Sequence, residues 1–338
     1  RPAFNLLKSA WQAMQQDSLK KWETENLSDD EQQAIIEELR LKAESPMGVA
    51  LTHVLLSLDQ KNMQLNLRDF PEMLPNICLA GMNFNLSGVD EKARNWSGLN
   101  LSGVDFRGAY LRKVQFEESQ LNRADLQNAN LSGAKLQNAK LLFAELQNAK
   151  LLFAELQNAK LTEANLQNAK LTEANLQNAK LTKANLQNAN LSKANLQNAT
   201  LWLAELQNAN LSGAKLQNAT LLFAELQNVD LAGANLQNAD LWRANLQHTN
   251  LSGAELQNAD LRECDLLWRQ LEKVNDGGFT GSKITEEDFK DKIYPEWKAE
   301  TDPEWGALTE GERMTAMQKF HGETGVCIYD KARNQIIP

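Results

Sequence analysis

The chain has 338 residues, of which 42% are hydrophobic and 23% charged, and its net charge is −9. No apolar run approaches the roughly 18 residues of a membrane span, and no basic stretch followed by an apolar one suggests a secretory signal. A membrane-spanning protein and a strongly basic nucleic-acid binder are therefore not expected.

Residues 1–76 are predicted to form an α-helical N-terminal cap. A first helix is indicated by apolar residues at helical spacing: Leu6, Leu7, Ala10, Trp11 and Met14. Ser28 precedes an acidic run and is the expected N-cap of a second helix. The predicted apolar face of that helix consists of Ile35, Ile36, Leu39 and Leu41. A third helix is predicted over about 47–58, before two prolines end the helical pattern.

Residues 77–271 are repetitive. From Leu101 to Leu266 every fifth residue is Leu or Phe, and the residue two positions earlier is Ala in 27 of 34 cases. In an α-helix a five-residue step advances by about 140°, so these leucines would form no stripe. In a continuous strand they would alternate between the two sides. A short extended Ala-x-Leu segment followed by a corner keeps every leucine inside.

The repeated unit A-(N/D/K/E)-L-x-x, as in ANLQN and AKLTE, resembles the pentapeptide-repeat family over about half of the chain. The resemblance implies a right-handed quadrilateral β-helix with four pentapeptides in each square coil, and with Leu and the preceding Ala facing inward. The predicted fold is therefore mainly β, with this β-helix at 77–271 between the helical cap and a mixed α/β C-terminal tail at 272–338.

Both flanks are expected to cover the open ends of the β-helix. At the first end, Leu79 and Phe84 fit a five-residue step but Trp96 follows only after a longer gap, which predicts a first coil with an inserted corner. In the tail, a short helix is expected after Ile284–Thr285 and another over Ala307–Phe320. The segments GVCIYD and NQIIP could pair as a terminal hairpin.

With four repeats in each coil, every fourth repeat should stack in the same column. Leu-Gln-Asn recurs at every second repeat from Leu126 to Leu256, with His248 replacing one Asn, so it should occupy two opposite faces. Columns of Gln and Asn side chains are then expected to form hydrogen-bonded amide ladders. We expect these two faces to be structural.

One of the remaining faces carries large apolar side chains. Three consecutive coils should stack five residues that we call the apolar wall: Trp202, Leu203, Leu222, Phe223 and Trp242. Further outward apolar residues are Leu142, Phe143 and Phe153, the two phenylalanines being expected on adjacent faces. All eight are predicted to bind a partner, because such a patch needs a cover and aromatic residues dominate binding hot spots. The cover could be the chain's own tail, a second copy or a different protein.

Chemistry is not indicated elsewhere in the sequence. No phosphate loop, zinc motif or nucleophile elbow is present, so no catalytic, cofactor or metal site is predicted. His321 and Cys327 lie six positions apart, but ordinary packing of the tail is favoured over a catalytic pair. The three cysteines, including Cys78 and Cys264, are far apart and odd in number, which favours a reducing, cytoplasmic compartment. Because the first residue is Arg1 and not Met, the alternative of a processed or trimmed N-terminus is left open.

The sequence thus predicts a non-enzymatic scaffold that presents the apolar wall to a protein partner or to a second copy. An alternative that the resemblance offers is a DNA mimic directed at DNA gyrase. Duplex DNA carries one negative charge per about 1.7 Å, whereas residues 96–266 sum to only −1. A secreted bacterial effector is a further alternative, and binding of nucleic acid is not expected.

Overall fold

A computed structural model describes residues 2–23, 27–57, 74–85, 94–266, 270, 274, 282–297, 305–324, 326–330 and 335–337. The chain divides into two compact units, an N-terminal unit Arg1–Ala174 and a C-terminal unit Asn175–Pro338.

The N-terminal unit begins with three helices, α1 (Pro2–Trp22), α2 (Asp29–Ala43) and α3 (Pro46–Ser57). Ser28 is the N-cap of α2, as predicted, and forms a capping box with Glu31. The Ser28 hydroxyl accepts the Glu31 N–H at 3.3 Å, and the Glu31 carboxylate accepts the Ser28 N–H at 2.8 Å. These two bonds satisfy N–H groups that a helix start otherwise leaves unpaired.

The helices pack on the first coil of the repeat region. Ile35 and Leu39 of α2 are buried against Cys78 and Ala80, as the apolar face of this helix predicts. Leu41, predicted on the same face, is 63% exposed, so that part of the prediction is wrong. It lies two positions after Leu39, about 200° further round the helix, and therefore points away from the coil.

In the N-terminal unit the repeats form a stack of coils joined by parallel bridges. Each bridge joins a residue to its equivalent four repeats later, such as Asn100 to Gln120 and Lys140 to Lys160, so four five-residue units complete each coil. The first coil differs, because Cys78 pairs with Asp105, a larger offset than elsewhere in the stack. The first coil therefore contains additional residues, as predicted; the predicted inserted corner itself, between Phe84 and Trp96, lies largely outside the described residues.

The interior of the stack is made by the repeated Leu and Ala side chains, which are fully buried. Burial of each Leu stabilises the coil by roughly 2 kcal/mol. The first coils hold aromatic rings instead, with neighbouring centroids 5.0–6.1 Å apart, from Phe84, Trp96, Phe106 and Phe116. Phe106 and Phe116, the two residues that replace Leu in the five-residue pattern, therefore lie where aromatic rings pack the interior.

The C-terminal unit contains coils of the same kind, with bridges such as Asn175 to Asn195 and Asp240 to Asp260. A short strand β1 (Lys283–Thr285) then adds to the last coil. The Leu261 N–H donates to the Lys283 carbonyl at 2.8 Å, and the Lys283 N–H donates to the Ala259 carbonyl at 2.9 Å. The exposed edge of the last coil is thus paired at this point.

The rest of the tail is helical and then extended. Its elements are α4 (Glu286–Asp288), a π-helical turn (Phe289–Ile293), α5 (Tyr294–Trp297), a 3-10 turn (Trp305–Ala307), α6 (Glu310–Thr324), β2 (Cys327–Asp330) and β3 (Gln335–Ile337). The sheet order is β1-β2-β3, with β1 parallel to β2 and β2 antiparallel to β3. The helix after Thr285 and the terminal hairpin are confirmed; the second helix begins and ends a few residues later than predicted.

The tail has its own aromatic core. Phe289 lies at the centre, with ring centroids 4.9–6.0 Å from those of Tyr294, Trp297, Trp305 and Phe320. In the part of the chain that the structure describes, no helix combines the length and apolar character needed to cross a membrane.

Candidate interaction surface

Each repeat places its two outward residues on a β-turn. The Leu carbonyl accepts the N–H of the residue three positions later, as between Leu221 and Ala224 at 3.0 Å. The second outward residue has a positive φ, which is 61° at Asn208 and 56° at Phe223. A positive φ at this position is the signature of a type II turn and favours Gly or Asn. The recurrent Asn of Leu-Gln-Asn therefore has a conformational cause, while the predicted amide ladder stays a prediction.

The side chain of the residue before each Leu can also stabilise the turn. Where it is Asn or Asp, its Oδ1 accepts the N–H two positions later, as Asp240 does from Trp242 at 3.2 Å and Asn210 from Ser212 at 2.9 Å. Such Asx turns hold the backbone locally without help from distant residues. The outward side chains are therefore carried on a backbone that is bonded within the coil and between coils.

The structure brings the five residues of the apolar wall together. The Leu203 N–H donates to the Leu222 carbonyl at 3.0 Å, and the Phe223 N–H donates to the Trp242 carbonyl at 3.1 Å. The three pairs of outward residues thus lie on successive coils of the C-terminal unit. The four-repeat spacing found in the sequence is sufficient to align them.

The wall is open at one end and covered at the other. Trp202 and Leu203 are 42% and 38% exposed. By contrast, Phe223 and Trp242 are half-buried and meet edge-to-face, with ring centroids 5.0 Å apart. The guanidinium of Arg243 lies 4.5 Å from the Trp242 ring centroid, which is a cation–π contact. The largest uncovered apolar surface of the wall is therefore that of Trp202 and Leu203.

The two edges of the wall have different chemistry. The extended segment before the wall residues stacks Thr200, Thr220, Asp240 and Asp260, and the extended segment after them stacks Glu205 and Glu225. Gln227 Nε2 donates to the Glu225 carboxylate at 2.6 Å. The coil that follows Trp242 and Arg243 presents Arg262 and Glu263 as its outward pair. Arg243 Nε lies 2.6 Å from the Glu263 carboxylate. Sequence reasoning did not assign a role to these polar edges, although the same four-repeat spacing places them.

The other predicted contact residues lie in the N-terminal unit. Phe143 is 43% and Phe153 is 57% exposed, and Leu142 is half-buried. The expectation that the two phenylalanines lie on adjacent faces is wrong. They are two repeats apart, which is half a coil, so they lie on opposite sides of the stack. The Arg123 guanidinium lies 5.7 Å from the Phe143 ring centroid.

A buried ionic cluster lies where α1 meets the first coils. Arg107 Nη2 is 2.8 Å from the Asp105 carboxylate, and its Nε is 3.3 Å from that of Asp125. The Trp22 ring of α1 lies 5.6 Å from the same guanidinium. Burial, reinforced by the charge of Asp105, raises the pKa of Asp125 to about 7. Burial also raises the pKa of the Cys78 thiol to about 12, so this thiol is not an activated nucleophile.

The two tail residues weighed as a catalytic pair make the following contacts. His321 Nδ1 is 2.9 Å from the Val326 carbonyl. The Cys327 N–H donates to the Ser282 carbonyl at 2.6 Å, within the sheet that joins β1 to β2. Among the residues that the structure describes, no group of three or more His, Cys, Asp or Glu side chains could hold a metal ion.

Comparison with solved structures finds pentapeptide-repeat proteins. HetL from the cyanobacterium Nostoc sp. strain PCC 7120, a protein involved in regulating heterocyst differentiation, is 29% identical; the match covers 66% of this chain and 92% of HetL, with a TM-score of 0.37. QnrB1, a plasmid-mediated fluoroquinolone resistance protein, is 18% identical over 56% of this chain and 85% of its own, with a TM-score of 0.40. Rfr23 from the cyanobacterium Cyanothece 51142 is 37% identical over 28% of this chain and 59% of its own, with a TM-score of 0.23.

Comparison with curated protein sequences gives no match. The family model for pentapeptide repeats matches in eight copies, and the matched residues, 100–198 and 204–275, cover just over half of the chain. The buried Leu and Ala positions and the four-repeat coil explain why this model fits the sequence. The chain therefore belongs to the pentapeptide-repeat family, whose members fold as right-handed β-helices.

Proposed function

We propose that this protein is a non-enzymatic interaction module whose apolar wall contacts a protein partner or a second copy of the chain. The observation that carries the proposal is the exposure of Trp202 and Leu203 beside the stacked Phe223 and Trp242. A single exposed apolar residue is ordinary, but contiguous ones with two tryptophans have the composition of a binding hot spot.

The backbone gives a second and independent argument. Leu203 and Phe223 have φ values of 55° and 56°, a region that large side chains disfavour by about 1 kcal/mol. Other repeats have Asn208 or Gly213 at this position, which tolerate it better. Folding alone therefore favours a different residue at both sites. An apolar side chain such as Leu203, which is exposed and in a conformationally unfavourable position, is better explained by contact with another molecule.

The scaffold that we propose is a quadrilateral β-helix at 77–271, with residues 1–76 and 272–338 as its end caps. Bridges between equivalent residues four repeats apart support four sides per coil. At the first end, Gln15 Nε2 of α1 donates to the Ala80 carbonyl at 3.2 Å. At the other end, β1 pairs with the last coil. A wall fixed in this way loses little conformational freedom when it binds.

Two further parts of the proposal follow from side-chain exposure and from the cysteines. Leu142, Phe143 and Phe153 are proposed as additional contacts, separate from the wall. The three cysteines are odd in number and far apart in the sequence, which supports a reducing, cytoplasmic compartment.

The experiment replaces the wall with the chain's own commonest repeat. The wall variant carries Trp202→Gln, Leu203→Asn, Leu222→Gln and Phe223→Asn, which turns two repeats into Leu-Gln-Asn. A face control carries Ser212→Gln and Gly213→Asn, half a coil away, where an added Cβ meets only ordinary van der Waals contact. All three proteins should fold alike, because Asn suits the positive φ.

We expect wild type and the face control to retain protein contacts, either with themselves or with partners captured from source-cell extract, and the wall variant to lose them. Capture is quantified by mass spectrometry, self-association by sedimentation, and folding by circular dichroism. Identical captured proteins and identical mass for wild type and wall variant would show that the wall is not a contact surface.

Gyrase-directed DNA mimicry is the alternative that we disfavour. Exposed lysines stack on two of the extended segments in the N-terminal unit, where Lys140 bridges Lys160 and Lys150 bridges Lys170. A DNA-like surface would instead be densely acidic. We expect the purified protein to leave gyrase supercoiling unchanged, and inhibition that survives in the wall variant would support mimicry instead.

A further inference from the structure

We propose that the N-terminal unit carries two equivalent binding sites on opposite sides of its coil stack, and that each site binds an acidic peptide segment with apolar side chains. The protein then holds two copies of the same partner. This inference rests on the proposed function, in which Leu142, Phe143 and Phe153 are contacts separate from the wall, and it adds the chemistry and the number of the occupants.

The two sites arise from an exact duplication in the sequence. Residues 141–150 read LLFAELQNAK, and residues 151–160 repeat these ten letters without change. Ten residues are two repeats, which is half of a four-repeat coil. The duplication therefore places the same outward side chains on two opposite sides of the stack. We call them the Phe143 site, with Lys140, Leu142, Glu145, Lys160 and Glu163, and the Phe153 site, with Lys150, Leu152, Glu155, Lys170 and Glu173.

The backbone has the same geometry at both sites. The Phe143 N–H donates to the Thr162 carbonyl at 3.2 Å, and the Phe153 N–H donates to the Thr172 carbonyl at 3.1 Å. The φ values of the two phenylalanines are 58° and 57°. Phe143 is the less exposed of the two, with the Arg123 guanidinium near its ring. Because the sites face away from each other, both can be filled at once.

A stacked pair of lysines borders the apolar residues of each site. Lys140 bridges Lys160 at one site, and Lys150 bridges Lys170 at the other. All four residues are exposed, and in the described part of the chain none of them forms an ion pair. Like charges placed directly opposite on paired strands are destabilising. A carboxylate bound beside each pair relieves this repulsion, which favours an acidic occupant.

The glutamates of the two sites disfavour a uniformly charged polyanion. Glu145 lies on the edge opposite the lysines and accepts a hydrogen bond from Gln147 Nε2 at 2.7 Å, and Glu163 is exposed on the next coil. Glu155 and Glu173 take the equivalent places at the Phe153 site. A nucleic-acid strand carries a negative charge at every phosphate and would meet these carboxylates as well as the lysines. A peptide can instead place its acidic residues against the lysines and its apolar residues against leucine and phenylalanine.

The coil before each site adds no excess of negative charge. Arg123 and Asp125 precede the Phe143 site, and the Asp125 carboxylate already lies 3.3 Å from Arg107 Nε. Lys135 precedes the Phe153 site, where it bridges Glu155. Neither site is therefore net acidic, in contrast to the whole chain with its net charge of −9.

The phenylalanines and the lysines are both disfavoured by the coil itself. A positive φ suits Asn better than it suits Phe143 or Phe153. At the position before each Leu, Asn165 accepts the Gln167 N–H at 3.2 Å, a bond that a lysine side chain cannot accept. Departures from the locally favoured residue are expected at functional sites. Because both departures coincide at both copies, the duplicated surface is better explained by binding than by folding.

The first test counts the peptides bound by the full chain, using isothermal titration calorimetry. The probe is a short synthetic peptide in which two aspartates precede two leucines. We expect wild type and the face control to bind two peptides per chain, and a variant with Leu142→Gln and Phe143→Asn to bind one. Adding Leu152→Gln and Phe153→Asn should abolish binding. Circular dichroism checks folding, which should be retained because each change creates another Leu-Gln-Asn repeat.

One peptide or none on wild type, or binding that survives all four substitutions, overturns the inference. This failure is distinguishable from failure of the proposed function. If wild type does not bind two peptides but the wall variant still loses its protein contacts, the proposed function stands without these sites. If the wall variant also matches wild type in mass and in capture, both fail.

The second test concerns the charge of the occupant and uses the variant with Leu152→Gln and Phe153→Asn, which keeps only the Phe143 site. There, Lys140→Asn with Lys160→Asn should weaken peptide binding by about tenfold and remove most of its salt dependence, whereas Lys140→Arg with Lys160→Arg should leave it nearly unchanged. A matched peptide with lysines in place of the aspartates, and a duplex DNA fragment, should not bind. Unchanged affinity in the asparagine variant, or binding of the lysine peptide or of DNA in place of the aspartate peptide, contradicts an acidic peptide as the occupant.

Discussion

The ring of Phe223 meets the indole of Trp242 edge-to-face at 5.0 Å, although the two residues lie on different coils. Both side chains point outward, so their contact is not part of the leucine interior. It arises because the chain returns to the same face after four repeats. Surface chemistry in this fold is therefore arranged in columns, and changes to the surface and to the interior should have very different energetic effects.

Substitutions in the wall should be far less destabilising than substitutions in the interior. For Trp242→Gln we expect a loss of about 1 kcal/mol, because one aromatic pair is removed from a half-exposed site. For Leu226→Ala, in a fully buried position, we expect roughly 2–5 kcal/mol. Urea unfolding of both variants, measured where the protein is dilute, gives the comparison. Equal losses would contradict the assignment of Trp242 to the surface.

The turn conformation predicts a stabilising substitution. Phe153 has a φ of 57° and an exposed side chain, so Phe153→Asn should raise the free energy of unfolding by about 1 kcal/mol. The reverse change at an equivalent position, Asn148→Phe, should lower it by a similar amount. The midpoints of urea unfolding curves measure the change in stability of each of these two variants. A destabilised Phe153→Asn variant would mean that Phe153 makes intrachain contacts that outweigh its backbone conformation.

The buried cluster at Arg107 predicts a pH dependence. The pKa of Asp125 is about 7 in the folded protein and has a reference value of 3.8. The native state therefore binds more protons than the unfolded state between about pH 4 and 7, and this contribution to stability is lost as pH rises through that window. Unfolding by urea at several pH values should show a flatter profile for Asp125→Asn than for wild type. An unchanged profile would exclude Asp125 as the titrating group.

A second effect of pH on stability has the opposite sign and occurs at lower pH. Hydrogen bonds from Ser18, Lys21 and Lys42 lower the pKa of Glu38 to about 2 from a reference of 4.5. The stabilisation of the folded state by the ionised Glu38 carboxylate is present above pH 4.5 and is lost as pH falls toward 2. Glu38→Gln should therefore flatten the acid limb only. Because the Glu38 side chain is 36% exposed, the effect should be small and should weaken with added salt.

The three thiols should differ in reactivity. Cys78 and Cys264 are buried and Cys327 is partly exposed, and the pKa of Cys78 is raised to about 12. At about pH 8 we expect a maleimide to label Cys327 first, and Cys78 and Cys264 only after unfolding. Peptide mass spectrometry identifies the labelled site. Fast labelling of Cys78 in the folded protein would contradict the packing of α1 on the first coil.

Much of the repeat region was predictable, because a five-residue apolar period is incompatible with both a helix stripe and an alternating strand. The columns followed once four repeats per coil were assumed, and the bridges bear this out. The same arithmetic was misapplied to Phe143 and Phe153, which are half a coil apart. The preference for Asn was assigned to amide ladders, whereas the positive φ of residues such as Asn208 gives a local reason.

The flanks were less predictable because their structure depends on distant contacts. Strand β1 was missed, since its pairing partner Asp260 lies in the last coil and so short a strand has no alternating pattern. Leu41 was misassigned because a helix that packs on a coil needs only a narrow apolar face. The cover that Arg243 gives to Trp242 depends on side-chain conformation, which column positions alone do not determine.

The most direct test of the wall as a contact surface is hydroxyl-radical footprinting of Trp202. Its oxidation rate is measured by mass spectrometry relative to the exposed Leu6 in dilute protein, in concentrated protein and in source-cell extract. The proposed function predicts that Trp202 becomes protected in concentrated protein or in extract, while Leu6 is unchanged. An oxidation rate at Trp202 that stays the same in all three conditions would contradict it.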